Sequence, residues 1–163
     1  VDETVKSLSD VTVGTVGFLK VLPGATNVVP GYVQMGIDIR DVDYERMEMA
    51  LSIVKRRIAE ICSSLKLSYT LDEKSKVPPT LLSNNIVKTI IKASEKLGLQ
   101  YNVMPSGAGH DTMPIAKITE CAMIFVPSKN GKSHVPDELT ELEDLERGAN
   151  VLLQSIAELA VAI

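Results

Sequence analysis

Residues 11–40, VTVGTVGFLKVLPGATNVVPGYVQMGIDIR, decide the fold, because two β-rich runs flank one connection bounded by proline and glycine. Val11 to Leu22 is rich in β-branched residues and predicts a strand, with Gly14 and Gly17 as points of close approach or bulging. Pro23 and Gly24 break it. Tyr32 to Arg40 then alternates: Val33, Met35, Ile37 and Ile39 share one face, and Gln34, Gly36, Asp38 and Arg40 share the other. That pattern predicts a half-buried strand antiparallel to the first. Asn27 is a polar side chain inside an otherwise apolar connection.

Working outward, Asp43 suits the N-cap of a helix whose apolar stripe is Met47, Ala50, Leu51, Val54, Ile58, Ile61 and Leu65. Lys66 to Leu71 alternates briefly and predicts an edge strand, while Val5 and Leu8 read as the end of an earlier helix. The order helix end, strand, strand, helix, strand is most of a ferredoxin-like βαββαβ sandwich without its first strand. The best boundary in the chain is KSKVPP, residues 74–79, so the division expected is 1–76 and 77–163.

Beyond that boundary Ser83 or Asn84 caps a helix with the stripe Ile86, Val87, Ile90, Ile91, Ser94 and Leu97, ended by Gly98. Leu99 to Val103 and Ala122 to Val126 read as short strands, and Asp111 as the cap of a short helix. Thr140 and Glu143 suggest a capping box for a last helix with the stripe Leu142, Leu145, Ala149, Leu152, Leu153, Ile156 and Leu159, which would cover one face of a sheet. Helices and short strands in alternation indicate an α/β architecture for this second part.

Both histidines of the chain lie in loops of small residues beside a carboxylate: Ser106-Gly107-Ala108-Gly109-His110-Asp111, and Gly131 to His134 after the apolar run. A loop with so little side-chain bulk lets backbone groups approach a ligand closely. Ligands of open α/β sheets bind at the carboxyl ends of strands, where His134 would stand. A lone histidine in an ordered loop more often satisfies backbone groups, and two such loops flanking one apolar run weaken that reading.

A net charge of -4 and a pI near 5.2 argue against nucleic acid as the main partner, which needs a basic face. No run of 18 apolar residues is present to span a membrane, and no secretory signal is read after Val1. Cys62 and Cys121 share no motif spacing, which fits reduced thiols and a cytoplasmic setting.

Residues 14–40, MPSGAGHDTMPIA at 104–116 and MIFVPSKNGKSHVPDE at 123–138 together resemble the hydantoinase/carbamoylase branch of the dinuclear zinc exopeptidase superfamily. The resemblance covers the whole chain in order. It implies a homodimeric, metal-dependent amidohydrolase with an αβα catalytic domain and an inserted α+β lid that dimerises and closes over the substrate. Residues 1–76 would be that lid, and 77–163 the carboxyl-terminal part of the catalytic domain. His134 matches the last metal-ligand histidine. Asn27 and Arg40 match lid residues that hold the substrate's carboxylate and polar groups, Gly109 matches a backbone contact to substrate, and Ser106, Gly107 and Ala108 shape the same loop. His110 and Asp111 would orient that loop.

The implied substrate is a small carboxylate bearing a ureido group, such as allantoate or an N-carbamoyl-L-amino acid. The implied cofactors are two divalent ions, zinc or manganese, of which this chain holds one ligand. The family's general base and other ligands match nothing here, so the chain is expected to be the carboxyl-terminal portion of an enzyme and inactive alone. A peptidase or aminoacylase of the same superfamily and a non-catalytic dimerisation module are the alternatives.

Overall fold

The computed structural model describes residues 1–161, which divide between Pro79 and Thr80 into two units. The first contains α1 (Asp2–Lys6), β1 (Val13–Leu22), β2 (Tyr32–Arg40) and α2 (Tyr44–Ser64). Strands β1 and β2 form an antiparallel hairpin in which Leu22 faces Tyr32 at the connected end and Val13 faces Arg40 at the open end.

Both glycines of β1 have the expected roles. The register shifts between Val16 and Phe18, at Gly17. A Cβ on Gly14 would stand 2.7 Å from Cγ2 and 3.0 Å from Cγ1 of Val5, a fully buried residue with no room to yield. Nothing lies within 4 Å of a Cβ on Gly17. Gly14→Ala is therefore expected to destabilise this unit by about 1–3 kcal/mol. Gly17→Ala should stay within about 0.5 kcal/mol. Urea unfolding of the two variants beside the parent chain measures the contrast.

Asp43 caps α2, accepting the Arg46 backbone N–H at 2.8 Å. The helix packs Ala50 and Val54 against Val5, with Leu8, Ile37, Ile39 and Ile58 around them. The far end of its stripe is not covered, for Ile61 and Leu65 are 44% and 63% exposed. The edge strand expected over 66–71 is absent. Lys66 takes a left-handed conformation, φ 55°, and the Leu67 N–H folds back onto the Cys62 carbonyl at 2.8 Å, so the alternation of 66–71 runs into irregular chain with no strand beside it.

The second unit contains α3 (Asn84–Lys96), α4 (Thr112–Ile115) and α5 (Leu142–Val161). Ser83 caps α3 and Gly98 follows its end at φ +67°, a conformation that favours glycine. Small side chains bring α3 and α5 together: Ala93 and Ser94 on one, Val151 and Ser155 on the other, are buried. Each serine hydroxyl donates to a carbonyl one turn back, Ser94 to Ile90 at 3.0 Å and Ser155 to Val151 at 2.7 Å, so neither enters the interface unsatisfied. Lys96 and Glu158 pair across the two helices at 2.6 Å.

Three expectations for this unit change. Residues 99–103 and 122–126 are not strands, because no described segment lies alongside to complete a ladder. For the same reason α5 covers no sheet. Leu145, Leu152 and Ile156 instead line a cleft of about 380 Å³ with Ile86, Ile90 and Ile124. The first backbone bond of α5 runs from the Leu145 N–H to the Glu141 carbonyl, which places the N-cap at Glu141 rather than Thr140.

Candidate functional site

Alternation along β2 sends Ile37 and Ile39 into the core and leaves Asp38 and Arg40 on the opposite, solvent-facing side. There the two side chains meet. Arg40 Nε donates to Asp38 Oδ1 at 2.7 Å and Arg40 Nη2 to Asp38 Oδ2 at 3.2 Å, a two-point grip that raises the guanidinium's already high pKa, through the hydrogen bond first and charge attraction second. The next residue, Asp41, has its carboxylate engaged elsewhere. The Asp41 side chain is buried and accepts from two nitrogens of the Arg46 guanidinium, Nε at 2.7 Å and Nη2 at 2.6 Å. Asn27 lies in the exposed connection at the other end of the hairpin, beyond the Leu22–Tyr32 pair. Tyr32 and Arg40 are the two ends of β2, eight residue steps or about 25 Å of strand apart.

The 106–111 loop is organised by its own side chains. The Ser106 hydroxyl lies 2.7 Å from His110 Nε2 and accepts the Ala108 N–H at 3.2 Å. The His110 carbonyl accepts the Met113 N–H at 2.9 Å, and its ring meets Phe125 edge-on with centroids 5.6 Å apart. His110 thus ties the start of the loop to the beginning of α4 and to the 122–126 segment. Gly107, Ala108 and Gly109 form the exposed crest between these anchors. Asp111 stands at the N-cap position of α4 without a side-chain cap bond. Cys121, half-buried, directs its thiol to the Thr112 carbonyl at 3.7 Å.

The second histidine loop is closed by a bond from the Lys129 N–H to the Leu139 carbonyl at 2.8 Å. Within it Asn130 and Gly131 turn through positive φ, and His134 has φ 59°. The His134 N–H donates to Glu138 Oε2 at 2.7 Å, which holds that unusual backbone in place. Its imidazole is exposed to solvent.

Among the described residues no three His, Cys, Asp or Glu side chains gather where they could hold a metal ion. His134 offers one imidazole donor, and the carboxylates of its loop are engaged elsewhere, Glu138 by the His134 backbone N–H and Asp137 by Lys132. These residues do not by themselves fit a metal centre, still less a dinuclear one.

The spacing of Asp38 and Arg40 on one strand face was available in the sequence as a positional signal. Nothing there distinguished Glu138 or the Asp41–Arg46 pair, which depend on turn geometry.

The description of peptidase family M20/M25/M40 matches residues 3–158. The N-carbamoyl-L-amino-acid amidohydrolase of Paenarthrobacter aurescens is 36% identical over 94% of this chain and 37% of its own length. The allantoate amidohydrolase of Escherichia coli strain K12 is 33% identical over 97% of this chain and 38% of its own. A crystal structure of a hydantoinase/carbamoylase family amidase from Burkholderia multivorans superposes with a TM-score of 0.89 at 29% identity, covering 94% of this chain and 38% of that one. The chain therefore spans little more than a third of the length of these relatives, and the mixed fold class read from its sequence is theirs.

Proposed function

The chain belongs to the M20/M25/M40 peptidase family, and from that premise we propose that it forms part of an amidohydrolase cleaving the ureido C–N bond of a small carboxylate, such as allantoate or an N-carbamoyl-L-amino acid. The observation that carries this reading is that relatives named as N-carbamoyl-L-amino-acid and allantoate amidohydrolases match nearly the whole chain, through the hairpin and both histidine loops.

In this proposal residues 1–76 are the lid and 77–163 contribute to the catalytic domain. Arg40 holds the substrate carboxylate, because its planar fork matches two carboxylate oxygens. The crest at Gly107–Gly109 presents backbone to the substrate's polar atoms, with Ser106, His110 and Asp111 keeping its shape. His134 would be this chain's one donor to a divalent metal, zinc or manganese, whose role would be to activate water only with donors from other residues. The remaining donors and the general base would come from other residues, so these 163 alone are expected to be inactive.

The lid is also the proposed dimerisation surface. A two-stranded sheet has an unpaired edge on each side among the described residues, and such edges seek partners. Dimerisation would also resolve the separation of Asn27 from Arg40. One small substrate cannot reach across about 25 Å of hairpin, so the partner copy's Asn27 would join Arg40 at one site. Among the described residues no helix is long and apolar enough to cross a membrane, and Cys62 and Cys121 are unpaired, in keeping with a reducing compartment.

A peptidase is the second reading, supported by the family's description. Full-length protein given allantoate, N-carbamoyl-L-amino acids and dipeptides separates the two. Ammonia release from the ureido substrates, at kcat/KM at least about 100-fold above dipeptide cleavage, is expected. The reverse preference would transfer the proposal to peptides.

A further inference from the structure

Asp38 is given no role in binding or catalysis by the proposal above, yet it makes the two-point contact with the residue on which substrate recognition depends. We infer that Asp38 is a positioning residue, fixing the plane of the Arg40 guanidinium so that its terminal edge meets the substrate carboxylate in one orientation. The inference rests on the reading of Arg40 as the carboxylate-binding residue.

Stability gives no reason for this pair. Both side chains are more than half exposed, 53% and 55%, and ion pairs of that kind contribute little to folding. The opposing residues in the register, Thr15 and Val13, carry no charge, so Asp38 is not balancing a cluster on β1. The geometry is nonetheless selective. Asp38 takes Nε and Nη2, one side of the guanidinium, at 2.7 and 3.2 Å. A guanidinium has a second two-nitrogen edge, Nη1 with Nη2, and gripping the first sets the direction of the second.

Arginine loses much rotamer freedom when a ligand must order it, and a pre-ordered one binds with less of that cost. Partial neutralisation by Asp38 also shifts recognition from bulk charge attraction toward hydrogen-bond geometry. A planar carboxylate is then favoured over other anions.

The test uses the full-length protein with whichever of allantoate or an N-carbamoyl-L-amino acid it turns over, beside the corresponding carboxamide. Asp38→Asn is expected to raise KM for the carboxylate about tenfold with kcat within about twofold, to leave the carboxamide unchanged, and to leave Tm unchanged. Asp38→Glu should recover part of the loss. In an Arg40→Ala background Asp38→Asn should have no further effect, because the group it positions is gone. An unchanged KM in Asp38→Asn, or an equal loss with and without Arg40, overturns the inference. If Arg40→Ala itself fails to discriminate carboxylate from carboxamide, the underlying reading of Arg40 falls instead, and the inference with it.

Discussion

Arg40→Ala in the full-length protein is expected to raise KM for a ureido carboxylate by about 100-fold and to lower kcat/KM by about 100- to 1,000-fold. A bidentate charge-assisted pair with a desolvated carboxylate contributes several kcal/mol, and truncating the arginine leaves that carboxylate unpaired in the closed site. Arg40→Lys keeps the charge but loses the fork, so it should recover only part of the loss, remaining about tenfold or more below the parent. A rise in KM alone would mean that Arg40 contributes uniform binding, equal in ground and transition states. A fall in kcat as well would mean that the carboxylate grip also aligns the ureido carbon for attack. Steady-state kinetics of the three proteins on one substrate separate these outcomes, and unchanged kinetics in Arg40→Ala would remove Arg40 from the site.

The hairpin that carries Arg40 was legible residue by residue. The Tyr32–Arg40 strand has the limits its alternation predicts, and the cap at Asp43 and the glycine after α3 stand where their chemistry places them. These features are local: a period of two, a side-chain oxygen three residues from an N–H, a residue free to take positive φ. The runs at 66–71, 99–103 and 122–126 failed as strands for the complementary reason. Apolar alternation states a preference for a neighbour, and only the neighbour's presence makes a ladder. The stripe of α5 shows the same limit, for its spacing predicted an apolar face correctly while Leu152, Leu153 and Ile156 remain more than half exposed.

The site divides in the same way. The glycine-loop composition around His110 announced a shaped crest, and the Ser106–His110 contact that shapes it spans four residues. The left-handed backbone of His134 and its clasp by Glu138 were not legible, because nothing in the string KSHVPDE specifies which side chain turns back to which amide. The exchange of partners at the end of β2, where Arg40 takes Asp38 and leaves Asp41 to Arg46, was hidden for a related reason. Strand alternation puts residues 38 and 40 on one face, whereas 41 has left the strand and enters the turn before α2.

That turn supplies the largest stability prediction. The Asp41 side chain has no exposed surface, and its carboxylate accepts from Arg46 Nε at 2.7 Å, Arg46 Nη2 at 2.6 Å, Thr12 Oγ1 at 2.5 Å and the Asp43 N–H at 2.8 Å. Thr12, itself 2% exposed, joins the start of β1 to this cluster, so Asp41 links the residue before β1, the end of β2 and the first turn of α2. The Arg46 hydrogen bond holds the Asp41 pKa well below the usual carboxylate range; burial opposes this, and the Thr12 and Asp43 bonds reinforce it. A carboxylate whose folded pKa lies below its unfolded value of about 3.9 stabilises fully above that value and loses its contribution as pH falls below it. Asp41→Asn keeps the shape but strips Arg46 of its counter-charge. With Arg46 32% exposed, water compensates in part, and the expected cost at pH 7 is about 2–3 kcal/mol rather than the larger figure of a fully buried pair. Urea unfolding of parent and variant should show that difference at pH 7 and a smaller one at pH 3, since the carboxylates common to both chains cancel in the comparison. A difference that persists unchanged at pH 3 would mean that the loss comes only from hydrogen bonds that the amide cannot accept in place of the carboxylate, and that the charge of Asp41 contributes nothing to joining strand and helix.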